Sequence, residues 1–176
     1  MAITKIQSES LNLADTYDFT GTVTGAGGVN TPAFRAYMSS HQTLSNNTVT
    51  KAQFDTEVFD TDSCYDNSTN YRFTPNVAGK YFVYTSMTLE SGSQTQMEYA
   101  HAYIYKNGSI EQMQTAIYSA NNVSWQTGGD IGTIVDMNGS SDYLEAFARI
   151  NVFSGITKII STTKHNSIFG AYKIIE

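Results

Sequence analysis

The sequence contains little charge, and the charge it contains is mostly negative. Charged residues make up 15% of the 176 positions, and 16 Asp and Glu residues outnumber 10 Lys and Arg residues. A net charge of -6 cannot neutralise nucleic-acid phosphates or an anionic lipid surface, so neither is expected as a partner. The surface must instead be mostly Asn, Ser, Thr, Gly and Gln, while 40% hydrophobic residues suffice for the core of one globular domain.

Long apolar runs are absent as well. No window approaches the roughly 20 apolar residues that a membrane-spanning helix needs. The first residues, MAITKIQSESLNLADTYDF, lack the uninterrupted apolar segment of a secretory signal peptide. We therefore expect a chain that is made in the cytoplasm, does not use the general secretion route and inserts into no membrane.

Residues that carry most enzyme chemistry are few and scattered. The single cysteine, Cys64, has no second cysteine for an intrachain disulfide, and we interpret it as a structural thiol. His41, His101 and His165 lie far apart and match no metal-binding spacing. No nucleophile elbow or phosphate-binding glycine loop is present either. We expect no enzyme activity, no catalytic residue, no cofactor and no metal centre.

Two pairs of acidic residues are the exception to this scarcity of functional groups. Asp55 with Glu57, and Asp60 with Asp62, are spaced so that each pair shares one face of a strand. Carboxylate oxygens are the ligands that calcium prefers. We favour a solvated acidic loop for these residues, with calcium binding as the alternative.

The sequence does contain a series of short β-strand patterns separated by turn residues. No segment shows the 3.6-residue apolar period of a helix, whereas Tyr, Thr, Val and Ile recur in short runs. Asn107-Gly108 has the residue types of a type I′ hairpin turn, and MNGSSD at 137–142 is a similar turn. The pattern predicts an all-β sandwich or jelly roll with strands at Ala33–Ser39, Lys51–Phe59, Tyr81–Leu89, Ala100–Tyr105, Ile110–Ile117, Ile131–Met137, Tyr143–Asn151, Ile156–Ser161 and Ile168–Ile175.

The N-terminal segment is organised differently. From 11 to 23 apolar and polar residues largely alternate, which predicts an extended strand with one apolar face, and GAGG at 25–28 predicts a hinge. We therefore divide the chain into an attachment arm with its hinge at 1–31 and a sandwich domain at 32–176. A lone strand is unstable in water, so the arm must pack on another surface; the alternative is that it forms the first strand of the sandwich. The predicted docking residues are Leu11, Leu13, Tyr17 and Phe19.

The strand in RFTPNVAGKYFVYTSM, at 72–87, is apolar on both faces. Tyr81 and Val83 share one face, and Phe82 and Tyr84 share the other. A strand of this kind needs two covered faces, and a neighbouring copy of the chain would cover the second one. The alternative is an aromatic cluster within one subunit. The residues predicted to form the core and the intersubunit contact are Tyr81, Phe82, Tyr84, Phe169, Tyr172 and Ile174.

Trp125 is the only tryptophan, and it lies in the polar stretch SANNVSWQTGG. Such a residue is a candidate ligand-binding residue, because an indole ring can stack on a sugar or anchor a protein partner. The alternative, which we favour, is that it caps the end of the sandwich or a seam between subunits.

The spacing of residues around this double-faced strand resembles the signature of the C1q/TNF-like globular domain. The sequence departs from the family pattern in two places. One extra residue lies between Tyr65 and Phe73, and Val83 and Thr85 stand where aromatic residues are usual. Later landmarks follow in the family's order at 102–109, 128–148 and 167–174, with Ala171 in place of a glycine. The matching residues of the signature are Phe54, Asp60, Tyr65, Phe73, Gly79 and Tyr81.

The resemblance implies a jelly-roll sandwich that assembles as a compact homotrimer, with one sheet facing the threefold axis. It implies binding rather than catalysis. Some members of the family bind calcium.

The segment at 1–34 resembles the start of structural proteins of tailed bacteriophages, especially marine ones, that carry C1q-like heads. This resemblance implies a virion-surface protein: a trimeric fibre or spike head whose arm docks on other virion proteins and whose head binds host-surface glycan or protein. The alternative is a trimeric decoration or cement protein that stabilises the capsid without recognising a host molecule.

Overall fold

The computed structural model describes residues 29–92, 97–118, 124–153, 157–160 and 166–174. The arm residues Leu11, Leu13, Tyr17 and Phe19 therefore lie outside the described residues. In the described ranges, no helix is long and apolar enough to cross a membrane. The strands in these ranges are β1 (Ala33–Tyr37), β2 (Gln42–Leu44), β3 (Thr50–Lys51), β4 (Thr56–Asp60), β5 (Tyr65–Asp66), β6 (Arg72–Phe73), β7 (Ala78–Ser91), β8 (Met97–Lys106), β9 (Ser109–Ile117), β10 (Gln126–Asn138), β11 (Leu144–Val152), β12 (Thr157–Ile160) and β13 (Ile168–Lys173).

These strands form two antiparallel sheets packed face to face, which confirms the predicted all-β sandwich. In sheet A the strand order is β2-β12-β7-β13-β1-β4, and β10 pairs with the other edge of β7. In sheet B the order is β5-β6-β11-β8-β9, and β3 pairs with β11. Strand β7 has 14 residues, which is long enough to pair with both β13 and β12 along one edge.

The alternation of side chains along β7 determines which residues enter the core. Tyr81, Val83, Met87 and Leu89 are at most 1% exposed, whereas the even-numbered residues between them lie on the outer side of sheet A. This follows from the two-residue period of a strand, which sends successive side chains to opposite faces. The double-faced character expected of this segment is therefore present in the folded chain.

Aromatic rings from both sheets meet in the interior. The ring of Phe34 stacks on Tyr65 and Phe73, at centroid distances of 4.4 and 4.6 Å, and meets Phe169 edge-on at 5.1 Å. Phe34 and Phe169 belong to sheet A, whereas Tyr65 and Phe73 belong to sheet B. Each aromatic pair contributes about 0.5–1.5 kcal/mol beyond its buried area, so this cluster connects the sheets.

The two buried tyrosines of the family signature also satisfy their hydroxyl groups. The Tyr65 hydroxyl donates to the Phe54 carbonyl at 2.9 Å, and the Tyr81 hydroxyl donates to the Val77 carbonyl at 2.7 Å. Burial raises the pKa of both hydroxyls, that of Tyr81 to about 12. The spacing that resembles the C1q/TNF-like signature thus selects residues that close the core, and Gly79 adopts a φ of +142° that other residues rarely take.

The predicted hairpin at Asn107-Gly108 is confirmed. These residues have φ angles of +52° and +78° and connect β8 to β9 as a two-residue turn. Positive φ at both central residues is the requirement of a type I′ turn, which Asn and Gly meet at low cost.

The predicted strand Lys51–Phe59 is wrong as one continuous element. Its first residues belong to β3, which pairs with β11 in sheet B, whereas β4 pairs with β1 in sheet A. The chain crosses the core between them, where Ala52 and Phe54 are fully buried. A segment that passes from one sheet to the other cannot continue the same set of interstrand hydrogen bonds. Residues 52–55 are therefore not part of a strand.

We expect Phe34→Ala to lower the free energy of unfolding by about 3–5 kcal/mol, because the substitution opens a cavity between the two sheets. Urea unfolding monitored by circular dichroism at a fixed protein concentration measures the change. Phe153→Ala is the matched control, since Phe153 is 60% exposed and should cost less than about 0.5 kcal/mol. Equal losses in the two variants would contradict the proposed role of Phe34.

Candidate functional site

The outer side of sheet A carries a group of large apolar side chains, Phe82, Tyr84, Ile134 and Tyr172, which we call the A face. Phe82 lies between the other two rings, with centroid distances of 6.1 Å to Tyr84 and 5.6 Å to Tyr172. Ile134 pairs with Phe82 across β10 and β7. In the single chain Ile134 is 56% exposed and Tyr172 is 39% exposed. Apolar groups clustered in this way on an outer sheet surface are typical of a contact surface.

A glycine makes room for one of these rings. Gly170 pairs with Tyr84, and a Cβ atom at position 170 would lie 2.5 Å from Tyr84 Cζ and 3.0 Å from the Phe34 carbonyl oxygen. The end of the Tyr84 ring therefore occupies the space that a side chain at position 170 would need. Burial raises the pKa of the Tyr84 hydroxyl, while the nearby Arg35 guanidinium acts in the opposite direction.

The six residues predicted for the core and the intersubunit contact separate into two groups. Tyr81 and Phe169 are fully buried in the core of the single chain. Phe82, Tyr84 and Tyr172 lie on the A face. Ile174, just beyond β13, is half-buried, and its backbone N–H donates to the Lys80 carbonyl at 2.8 Å. An intersubunit contact remains a prediction for the outward-facing residues.

Trp125 lies far from the A face. It immediately precedes β10, is 49% exposed, and its carbonyl accepts a hydrogen bond from the Ser91 N–H at 2.8 Å. Ile134 is nine positions further along the chain, which corresponds to roughly 30 Å along a strand. A ligand-binding role for Trp125 remains a prediction.

One carboxylate of each acidic pair, that of Asp55 and that of Asp60, supports local structure. Asp55 accepts hydrogen bonds from the N–H and hydroxyl of Ser39 at 2.7 and 2.5 Å, and Asp60 accepts one from the Tyr65 N–H at 2.8 Å. Cys64 borders a polar cleft of about 390 Å³, and burial raises the pKa of its thiol. Across the described ranges, no group of three or more His, Cys, Asp or Glu side chains could hold a metal ion.

The outer side of sheet B carries a second surface that the sequence reasoning did not identify. Tyr99, His101, Tyr103 and Tyr105 alternate along β8, and their rings contact one another at centroid distances of 5.1, 5.7 and 5.9 Å. Phe147, in the adjacent β11, lies 4.3 Å from Tyr105. We call these rings, together with Arg149, the B face. The signal in the sequence is YAHAYIY at 99–105, in which every second residue is aromatic or imidazole.

Arg149 lies among these rings and is held by neutral oxygen atoms. Its Nε donates to Asn47 Oδ1 at 2.7 Å, and its Nη2 donates to the Tyr99 hydroxyl at 2.9 Å and also to Asn47 Oδ1. The guanidinium carbon lies 5.3 Å from the centre of the Tyr99 ring. In the part of the chain that the structure describes, no Asp or Glu lies within ion-pair distance of Arg149.

The other cations on this side of sheet B differ from Arg149. Glu145, only 4% exposed, places Oε1 at 2.6 Å from Lys51 Nζ and 3.3 Å from Arg72 Nε. Arg72 also lies 4.2 Å from the centre of the Tyr143 ring. A buried carboxylate needs such partners, since an isolated buried charge is costly. Lys51 and Arg72 therefore neutralise a buried carboxylate, whereas the described partners of Arg149 are neutral.

Solved structures show that this sandwich is a TNF-like jelly roll. Eiger TNF from S. frugiperda matches with a TM-score of 0.56 and 11% identity, covering 81% of this chain and 91% of that one. Murine APRIL at pH 5.0 matches with a TM-score of 0.54 and 11% identity, covering 81% of this chain and 98% of that one. The sequence matches no protein-family model and no curated protein. The fold part of the resemblance to C1q/TNF-like domains is confirmed.

The surroundings of His101 generate a test of the B face. Burial and, to a smaller extent, the Arg149 guanidinium hold the pKa of His101 below its ordinary value of 6.5. An NMR titration should find this lowered pKa, and Arg149→Gln should raise it part of the way back, because burial remains. Because the folded pKa is below the unfolded one, the stability contribution is full above pH 6.5 and declines as the pH falls through the folded value.

Lys80→Gln is the matched control for this titration, because Lys80 belongs to sheet A and should leave the pKa of His101 unchanged. A His101 pKa at or above 6.5 in the unmodified chain would mean that the ring is not enclosed as the structure places it.

Proposed function

We propose that the chain is a homotrimeric, non-catalytic attachment module of a tailed-phage virion. Its A face forms the contact between subunits, its arm at 1–31 docks on other virion proteins, and its head binds host-surface glycan. The observation that carries the assembly part is the A face itself, with Tyr172 and Ile134 exposed in the single chain.

The energetics of the A face favour its burial against another copy. Burying a large apolar side chain contributes about 1.5–3 kcal/mol, so the four side chains of one face offer several kcal/mol per subunit. A symmetric assembly repeats that contribution in every subunit. Three copies are favoured because the sequence signature resembles domains that assemble as homotrimers.

The virion part of the proposal rests on the sequence. The segment at 1–34 resembles the start of tailed-phage structural proteins, and the alternation at 11–23 gives the arm one apolar face. Display of many copies on one particle would let weak individual sites act together, since linked binding events raise overall avidity. The alternative is a capsid decoration protein that binds no host ligand. Binding of a glycan by the trimer distinguishes the attachment module from this alternative.

Replacing Tyr172 with Arg should convert the trimer to a monomer. Tyr172 contacts Phe82 at 5.6 Å, and three desolvated guanidinium groups at a shared contact would repel one another. Sedimentation velocity at micromolar concentration measures the assembly state, and thermal unfolding checks that the variant is folded. A monomeric unmodified chain would contradict the proposal.

Met113→Arg is the matched control for the assembly experiment. Met113 is 45% exposed, similar to Tyr172 at 39%, but it lies in β9 of sheet B. This variant should remain trimeric. Loss of the trimer in both variants would point to a general effect of added charge and not to the A face.

The docking role of the arm is tested by placing charged residues on its predicted apolar face in the full-length chain. Leu13→Asp combined with Phe19→Asp should abolish cosedimentation with particles of the encoding phage that lack the native copy, because it charges the docking face. The control, Asn12→Asp combined with Thr20→Asp, adds the same charge to the predicted polar face. This variant should cosediment with the particles as the unmodified chain does. Unchanged attachment of the first pair would overturn the docking role, and a chain absent from virions would overturn the virion role.

A further inference from the structure

We propose that the B face is a binding site for an acidic sugar, with Arg149 pairing with the sugar carboxylate and the half-buried rings of Tyr99, His101 and Tyr105 contacting the sugar. Tyr103, which is buried between them, supports these rings. This inference rests on the glycan-binding function proposed above and names its site and its class of ligand. It moves the site away from Trp125, the only ligand-binding candidate that the sequence suggested.

The first support is the shape and composition of the surface. Four aromatic or imidazole rings lie in line along β8, and their contacts with one another hold them in place. Phe147 extends this surface onto β11. On the other side, Met113 in β9 pairs with Tyr103 and is 45% exposed. Tyr99, His101 and Tyr105 are half-buried and keep part of their ring surface open, whereas Tyr103 is 3% exposed. Open ring surface at intervals along a strand suits the C–H faces of sugar rings.

The second support is the charge at the centre of this surface. Arg149 is held by Asn47 and Tyr99, and its guanidinium also hydrogen-bonds with the Tyr103 side chain; all three partners are neutral. Lys51 and Arg72 both have the Glu145 carboxylate within ion-pair distance, whereas Arg149 has no carboxylate at that distance among the described residues. A guanidinium held in a fixed orientation without a carboxylate partner is complementary to a ligand carboxylate.

The third support is the set of polar groups interleaved with the rings. Thr115 Oγ1 lies 2.9 Å from His101 Nδ1, and the Asn151 amide donates to the Glu98 carboxylate beside these rings. Hydroxyl, amide and imidazole groups therefore lie beside the aromatic rings, where they can pair with sugar hydroxyls. Glu98 would also repel a second carboxylate, so the site favours a sugar with a single carboxylate near Arg149.

The location of the B face agrees with a role in attachment. Sheets A and B pack with their inner sides together, so the A face and the B face lie on opposite sides of the sandwich. In the proposed trimer the A face is covered by neighbouring subunits, and the three copies of the B face remain open. Three equivalent sites on one trimer would allow one polysaccharide to be bound at several points.

The test uses the full-length trimer and immobilised probes: polygalacturonate, polymannuronate and a sialylated lactose, each beside its carboxyl-reduced, neutral form. We expect binding to at least one acidic probe. Reducing that carboxylate, or introducing Arg149→Gln, should weaken binding about tenfold or more, as expected for one charge-assisted hydrogen bond. The neutral probe needs no variant protein, so the test stands even if Arg149→Gln fails to fold.

Lys80→Gln is the matched control, since it removes one positive charge from sheet A and should leave binding unchanged. Binding to none of the acidic probes, equal binding to their neutral forms, or equal losses with Lys80→Gln and Arg149→Gln would each overturn the acidic-sugar site. A partner that proves to be only a protein would overturn it as well. Sedimentation of the same samples keeps the two proposals apart: a trimer that binds no acidic probe leaves the assembly proposal intact.

Discussion

The contact between Phe34 and the rings of Tyr65 and Phe73 is the constraint on which the rest of the structure depends. It joins one strand of sheet A to two short strands of sheet B, at centroid distances of 4.4 and 4.6 Å. With the inner side of each sheet fixed in this way, the two-residue period of a strand decides what lies outside. Burial of Tyr81 places Phe82 and Tyr84 on the A face, and burial of Ala102 and Ile104 places Tyr103 and Tyr105 on the B face.

The two outer faces then differ in chemistry. The A face is mainly apolar, with Phe82 between Tyr84 and Tyr172, and in the proposed trimer it is buried against other copies. The B face combines aromatic rings with a guanidinium that neutral oxygens hold in place. A charge of this kind is poorly suited to an apolar contact between subunits and well suited to an anionic ligand. One sandwich thus carries one surface for the proposed assembly and another for the proposed recognition of a ligand.

Much of the fold was predictable because its signals are local. The period of two in β7, the Asn-Gly turn and the spacing from Phe54 to Tyr81 all act through the backbone or through one strand. The segment 51–59 was predicted incorrectly because its composition suits a strand, while the crossing from sheet B to sheet A depends on distant partners in β11 and β1. Trp125 is a candidate in the sequence because it is the only tryptophan. Arg149 is not, because the residue that orients it, Asn47, lies 102 positions away.

The sequence by itself therefore determined the class of the fold, the two-sided character of β7 and the residues that close the core, since these depend on side-chain period and apolar content. Only the tertiary structure decided which apolar residues face outward together and where an arginine lies without a carboxylate. Those properties arise when strands far apart in sequence become neighbours in a sheet. A pattern read along one strand cannot contain them, because they belong to the pairing of β8 with β11 and of β7 with β10 and β13.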